Sequence, residues 1–106
     1  MREPTFLILT VLAGGPRHGY GIVRDVAALS EQRVTLRPGT LYTALDRLTA
    51  EGLVEPDREE TVDGRRRRYY RLTTAGHHAL TTEAARMHQL VNAAETRLRA
   101  LRPRTT

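Results

Sequence analysis

A mainly α domain that carries one small β-hairpin and closes on a single long helix is the fold class this sequence predicts. Three observations carry the prediction. Apolar residues recur at three- and four-residue steps between Pro38 and Gly52. An alternating run from Arg66 to Leu72 follows the turn signal Asp63-Gly64. From Leu80 to Leu101 the apolar residues repeat with the spacing of a heptad.

Taken in order, Thr5 to Ala13 reads as a first helix, with Pro4 at an early position and Gly14-Gly15-Pro16 as its stop. It is apolar on most sides, so it belongs at the centre of the domain or at a subunit contact. A second helix is expected from about His18 to Leu29, striped by Ile22, Val26 and Leu29 and weakened early by Gly19 and Gly21. A polar connection, Ser30 to Arg37, leads to the third helix. There Leu41, Ala44, Leu45 and Leu48 form the apolar stripe, Pro38 fits the first turn and Gly52 fits the left-handed stop. Thr43, Asp46, Arg47 and Ala50 point away from the stripe, and Thr40 and Tyr42 flank it. Two helices joined by a short turn, the second with a polar outer face, describe a helix-turn-helix.

After Gly52 the period changes. Leu53-Val54-Glu55 and Arg66 to Leu72 are strand candidates, and the order helix, helix, helix, hairpin is that of a winged helix-turn-helix. In the second strand Arg68, Tyr70 and Leu72 share one face, and Arg67, Tyr69 and Arg71 the other. Thr73 is the expected cap of the last helix. Its heptad positions are Leu80, Ala84, Met87, Val91, Ala94, Leu98 and Leu101, with Arg97, Arg99, Arg102 and Arg104 towards its end. So long an apolar seam at the end of a small domain has no intrachain partner of its own length, and a second copy is the expected one. The alternative is a helix folded back on its own domain. The chain therefore divides into a winged domain, residues 1–73, and a dimerisation helix with a short tail, residues 74–106.

The 106 residues make one domain, and the absence of cysteine excludes a disulfide framework and a thiolate metal site. The apolar run from Phe6 to Ala13 is too short to span a bilayer and lacks signal-peptide flanks, so the chain is read as cytoplasmic, without a membrane partner. The formal net charge is +5, and all 17 basic residues are arginine. This balance favours a polyanionic partner, and its placement is uneven. Glu51 to Asp63 is acidic, whereas Arg65 to Arg71 holds five arginines in seven residues.

Catalytic patterns are missing. His18, His77, His78 and His88 contain no i, i+4 pair, the Gly-rich stretch near Gly14 lacks a P-loop lysine, and Ser30 has no nucleophile-elbow context. No enzyme activity, cofactor or metal is expected. The short, hydroxylated outer face of the third helix suits a DNA major groove, and a ribbon of arginines suits a minor groove or a phosphate rail. Thr40, Tyr42, Thr43 and Arg47 are the candidates for base edges, and Arg37, Arg65, Arg66, Arg67 and Arg68 for the backbone. The competing readings are a solvated helix face, a charged edge strand that resists aggregation, a dimeric protein–protein adaptor, and a nonspecific nucleoid-type DNA-binding protein.

Gly39 to Glu55, GTLYTALDRLTAEGLVE, followed by Arg65 to Gly76, RRRRYYRLTTAG, and a final helix, resembles the PadR-like transcriptional regulators. His18 to Ile22, HGYGI, resembles the usual start of the family's second helix. The single C-terminal helix is similar to the family's shorter branch. The resemblance implies a homodimeric winged-helix repressor on a pseudo-palindromic operator of double-stranded DNA, often with a small aromatic molecule as inducer. Family members commonly have serine where this chain has Arg37 and proline where it has Thr43. Tryptophan is absent, so a pocket of stacked indoles is not implied. For an effector, the gaps left in the seam by Ala84 and Ala94, beside Met87 and His88 and opposite Phe6 and Leu9, are the expected place.

Overall fold

The computed structural model describes residues 1–103. The elements are α1 (Glu3–Ala13), β1 (Arg17–His18), α2 (Gly19–Leu29), α3 (Pro38–Ala50), β2 (Val54–Val62), β3 (Arg65–Leu72) and α4 (Thr74–Ala100). The strands form one antiparallel sheet in the order β1-β3-β2. This is a winged helix-turn-helix with a long C-terminal helix, as the periodicities require. Arg104, expected near the end of that helix, lies outside the described residues.

The core is built around α1. Ile8 and Leu9 have no exposed surface, and Leu7, Val11 and Leu12 are buried with them. Ile22 and Val26 of α2, Leu41, Leu45 and Leu48 of α3, Val54 of β2 and Tyr70 of β3 close around that helix. The turn from α2 to α3 carries Glu31 and Gln32 at φ 54° and 67°, and the amide of Gln32 donates back to the Ala27 carbonyl at 2.7 Å. Leu36 is then buried and Val34 half-buried, as the sequence suggests.

The hairpin is longer than the sequence implies. β2 runs nine residues, past Pro56 and through the acidic stretch, with an irregularity in its pairing between Pro56 and Glu59. A proline and a charge run conceal a strand, but pairing with β3 supplies the missing order. At the tip, Asp63 and Gly64 have φ 52° and 75°, the two positive values that an I′ hairpin turn requires. β1 has no local signal at all: its two residues pair with Tyr69 and Tyr70, and they move the start of α2 from His18 to Gly19.

Thr73 caps α4 as expected. Its Oγ1 accepts from the Gly76 amide at 3.0 Å and donates to the Gly52 carbonyl at 2.6 Å. The winged domain does not stop at residue 73: Gly76 is buried and Leu80 packs against the core. From Ala84 onward every described residue of α4 is exposed. The helix has 27 residues, about 40 Å, and gives the chain its 68 Å length. Along it Met87, Leu90, Val91, Leu98 and Leu101 are uncovered, with Leu98 64% and Leu101 78% exposed.

A Cβ at position 76 would collide with the Leu53 carbonyl oxygen, with Leu72 Cδ2 only 3.0 Å away. Helix propensity alone makes Gly76→Ala stabilising by about 1 kcal/mol. The collision reverses the sign, and the substitution should destabilise by roughly 1–3 kcal/mol in urea denaturation, a cost of the size seen on overpacking.

Candidate nucleic-acid interface

Burial of Leu41, Leu45 and Leu48 fixes the rotation of α3, and so fixes what it offers to solvent. Thr40, Tyr42, Thr43, Asp46 and Arg47 are all exposed. Arg37 stands at the N-cap with no side-chain cap, because an arginine has no acceptor to give. The candidates on α3 and its N-cap therefore reach the surface, though on unequal terms.

Tyr42 does not project freely. Its hydroxyl lies so close over Gly19 that a Cβ there would collide with it, and its ring separates two small recesses. One is lined by Tyr42, Asp46, Glu59, Arg66, Arg68 and Tyr70, the other by His18, Gly19, Tyr20, Tyr42 and Arg65 to Arg68. Tyr42 thus stands where α3, the start of α2 and the wing come together. Arg47 is also engaged: Nη2 donates to Thr5 Oγ1 at 2.9 Å, and Nη1 to Glu51 Oε1 at 3.3 Å. It lies on the flank of α3 that faces α1, tethered, where the wheel alone set it on the free face.

The wing carries fewer free cations than its sequence suggests. The nine-residue β2 lays its acids opposite β3, pairing Glu59 with Arg68 and Glu60 with Arg67 in register. Glu59 is shared by Arg66 at 3.6 Å and Arg68 at 3.5 Å, and Arg71 reaches Glu55 at 2.8 Å and Asp57 at 3.1 Å. Arg58 sits 4.0 Å from the centre of the Tyr69 ring and donates to Glu60, to which Tyr69 also donates. Those hydrogen bonds, that from Arg58 first, hold the Glu60 carboxyl below its ordinary range. Of the arginines chosen from the sequence as DNA contacts, Arg37, Arg65 and Arg67 make no ion pair among the described residues, whereas Arg47, Arg66 and Arg68 do.

His18 joins these parts and was not singled out from the sequence. Its Nδ1 accepts from the Gly21 amide at 3.2 Å and caps α2. Its ring stands edge-on to Tyr69, centroids 5.3 Å apart, and parallel to Tyr20 at 6.4 Å. The signal was a cap position before Gly19 with no serine, threonine or acid to fill it. The seam candidates Ala84, Met87, His88 and Ala94 are exposed and enclose nothing in one chain, and Phe6 is half-buried. Leu9 is a correction. With no exposed surface inside its own domain's core, it cannot line a cavity between subunits. Among the described residues no cluster of three or more His, Cys, Asp or Glu could hold a metal ion, and no helix is long and apolar enough to cross a membrane.

Comparison with known proteins decides the family. The model of the transcriptional regulator PadR-like family matches residues 8–82, from the core helix through the wing to the start of α4. The chain belongs to the PadR-like family. That family is one of transcriptional regulators, not of enzymes. The chain is 40% identical over 83 residues to transcriptional regulator Rv3488 of Mycobacterium tuberculosis, covering 78% of this chain and 74% of that one. It is 44% identical over 88 residues to an uncharacterized 37.1 kDa protein in transposon TN4556 of Streptomyces fradiae, of which it spans 24% against 83% of its own length. Among solved structures, a PadR family transcription regulator from Clostridium difficile R20291 superposes with a TM-score of 0.75 at 26% identity, covering 92% of this chain and 99% of that one. Bacillus subtilis PadR in complex with operator DNA gives 0.69 at 25% identity, covering 78% of this PadR-like chain and 47% of that one.

The cap supplies a pH prediction. Burial first, then the charges of Arg67 and Arg24, lower the His18 pKa from its ordinary 6.5, against Glu60 and Asp25. The folded chain favours neutral imidazole, whose Nδ1 is free to accept. Stability from the cap is therefore complete above pH 6.5, the ordinary unfolded value, and is lost as pH falls through the lowered folded value. Urea denaturation should show stability falling as the pH is lowered from 7.5 to 5, a dependence that His18→Asn largely removes.

Proposed function

We propose that this chain is a DNA-binding repressor of transcription that acts as a homodimer in the cytoplasm. The observation that carries the reading is the face of α3: hydroxyls and one aromatic ring, rotationally fixed, bordered by the unpaired Arg37 on one side and the arginine strand of the wing on the other. A relative solved with operator DNA, at 25% identity, supports it. In this reading Thr40, Tyr42 and Thr43 meet base edges in the major groove. Arg37 and Arg65 to Arg68 hold phosphates or enter the minor groove, with Arg65 and Arg67 free to do so at once and Arg66 and Arg68 after giving up Glu59. Arg47 reaches a base only by releasing Thr5, so its first role is to hold α3 against α1.

The second copy is argued from α4. A helix with Met87, Val91, Leu98 and Leu101 on one stripe, all uncovered, gains burial only against another chain. Leu80, Ala84 and Ala94 complete that stripe, and Leu90 beside it widens the face. Two recognition helices then address half-sites about one helical turn apart, or a multiple of it. Bound over a promoter, such a dimer excludes polymerase. The resemblance adds release by a small aromatic effector, which we place in the seam beside Ala84, Met87, His88 and Ala94, with Phe6 opposite. Such a guest releases DNA only by preferring the non-binding arrangement.

Selection of bound duplexes from a random pool tests the function. Recovery of a two-fold related consensus is the expected result; recovery of none leaves the adaptor or the nonspecific binder. On that consensus, Thr43→Ala should relax preference at one position at a cost of about 1–3 kcal/mol. Arg67→Ala should weaken all sequences alike and make the logarithmic salt slope shallower. A wing variant that altered the consensus and left the slope unchanged would reverse the assignment.

Leu98→Asp tests the dimer. A carboxylate without a partner in the seam costs several kcal/mol. Sedimentation should show monomers at micromolar concentration and operator binding should fail, since two half-sites are no longer engaged together. A stable dimer of the variant would refute the seam.

A further inference from the structure

Two helices of this fold begin in the same way. Arg2 is the N-cap of α1 at φ −77° and ψ 153°, and Arg37 is the N-cap of α3 at φ −78° and ψ 148°. A proline stands in the first turn after each, and neither arginine side chain caps its helix. The carbonyl of each accepts the amide four residues on, from Phe6 at 3.0 Å and from Leu41 at 2.9 Å. Both backbones are thus fixed while both side chains stay exposed, and neither side chain makes an ion pair among the described residues.

Arg2 and Arg37 line one groove, which runs from the start of α1 along α3 past Thr40, Thr43 and Arg47. The acids nearby are directed elsewhere. Glu3 lines a recess with Leu29, Glu31 and Arg33, Asp46 lines one beside the wing with Glu59, and Glu51 is held by Arg47 at 3.3 Å. The two flanks of α3 therefore differ. Toward the wing, arginines and carboxylates are mixed; toward α1, three arginines and no carboxylate line the groove.

A helix about 10–12 Å across fills a major groove about 12 Å wide, so the backbones of both DNA strands pass along its flanks. The wing meets one of them. We propose that Arg2, beside Arg37, holds the other: a backbone phosphate of the strand that passes α3 on the side away from the wing. A guanidinium without a carboxylate partner gives its charge-assisted hydrogen bonds to phosphate oxygens without first giving up a protein acceptor. The bond from Arg47 to Thr5, 2.9 Å long, ties α3 to α1 and so sets the spacing of the two arginines. The contact rests on the proposed function, because docking of α3 is what brings the strand here. It makes the start of α1 part of the interface and leaves the base-reading residues as they are.

The test is binding of the full chain to the selected duplex and to a scrambled one, from about 50 to 200 mM salt. Arg2→Ala should weaken both about fivefold and make the logarithmic salt slope shallower by about 0.9 for each chain bound. Arg2→Lys, which keeps the charge, should retain the slope. Arg33→Ala removes the same charge from the recess shared with Glu31 and should leave slope and affinity in place. Ethylation of operator phosphates should interfere with the wild type at one position of that strand in each half-site, and this effect should vanish for Arg2→Ala. Urea denaturation of Arg2→Ala should match the wild type, since backbone atoms make the contact that orders the first turn; a loss of stability would assign Arg2 to the fold and overturn the contact. An unchanged slope, an effect no larger than that of Arg33→Ala, a loss that Arg2→Lys fails to restore, or a changed consensus would each overturn it while the repressor reading stands. A chain that binds neither duplex would sink both.

Discussion

Enclosure of α1 is the constraint on which the rest of the structure depends. A helix apolar on most sides has to be surrounded, and α2, α3, the sheet and the first turns of α4 are each positioned by that requirement. Once Leu41, Leu45 and Leu48 are committed to the enclosure, α3 has no rotational freedom left, and Thr40, Tyr42 and Thr43 must face outward. The polar ties are few and refine a geometry that burial has set: Arg47 to Thr5 between α3 and α1, and Thr73 to Gly52 between α4 and the end of α3.

Charge is arranged for exchange more than for excess. From Glu55 to Arg71 six arginines face five carboxylates on one ribbon. Exposed ion pairs of this kind contribute about 0–1 kcal/mol each. A phosphate can therefore take Arg66 or Arg68 from Glu59 at small cost, while the acids of β2 temper attraction to arbitrary polyanions. In the proposed reading, a wing built this way favours a fitted site over indiscriminate binding. The same acids make the ribbon a paired structure before any ligand arrives, so its arginines are partly ordered in advance.

The sequence was most legible where the signal was local and periodic. α1, α3 and α4 followed from spacing, the hairpin tip from Asp63-Gly64, and the α4 cap from Thr73. What it concealed was made by distant pairing. β1 exists only because Tyr69 and Tyr70 stand beside Arg17 and His18. The full length of β2 hides behind Pro56 and a run of acids whose partners are on the next strand. In the candidate site, spacing placed Thr43 on the outward face and Thr40 on its flank, yet could not show that Arg47 is held by a residue 42 positions away or that Tyr42 rests on Gly19. The boundary at residue 73 follows the end of the strand, but buried Gly76 and half-buried Leu80 carry the domain into α4.

The central claim is that DNA meets the outward face of α3 and the arginine strand of the wing together. Amide shifts of the labelled chain on titration with a selected duplex test it most directly. The account predicts changes at Thr40, Tyr42 and Thr43 and along Arg65 to Arg68, with the exposed length of α4 beyond Ala84 unaffected. Changes confined to α4, or to the wing with α3 silent, would contradict it.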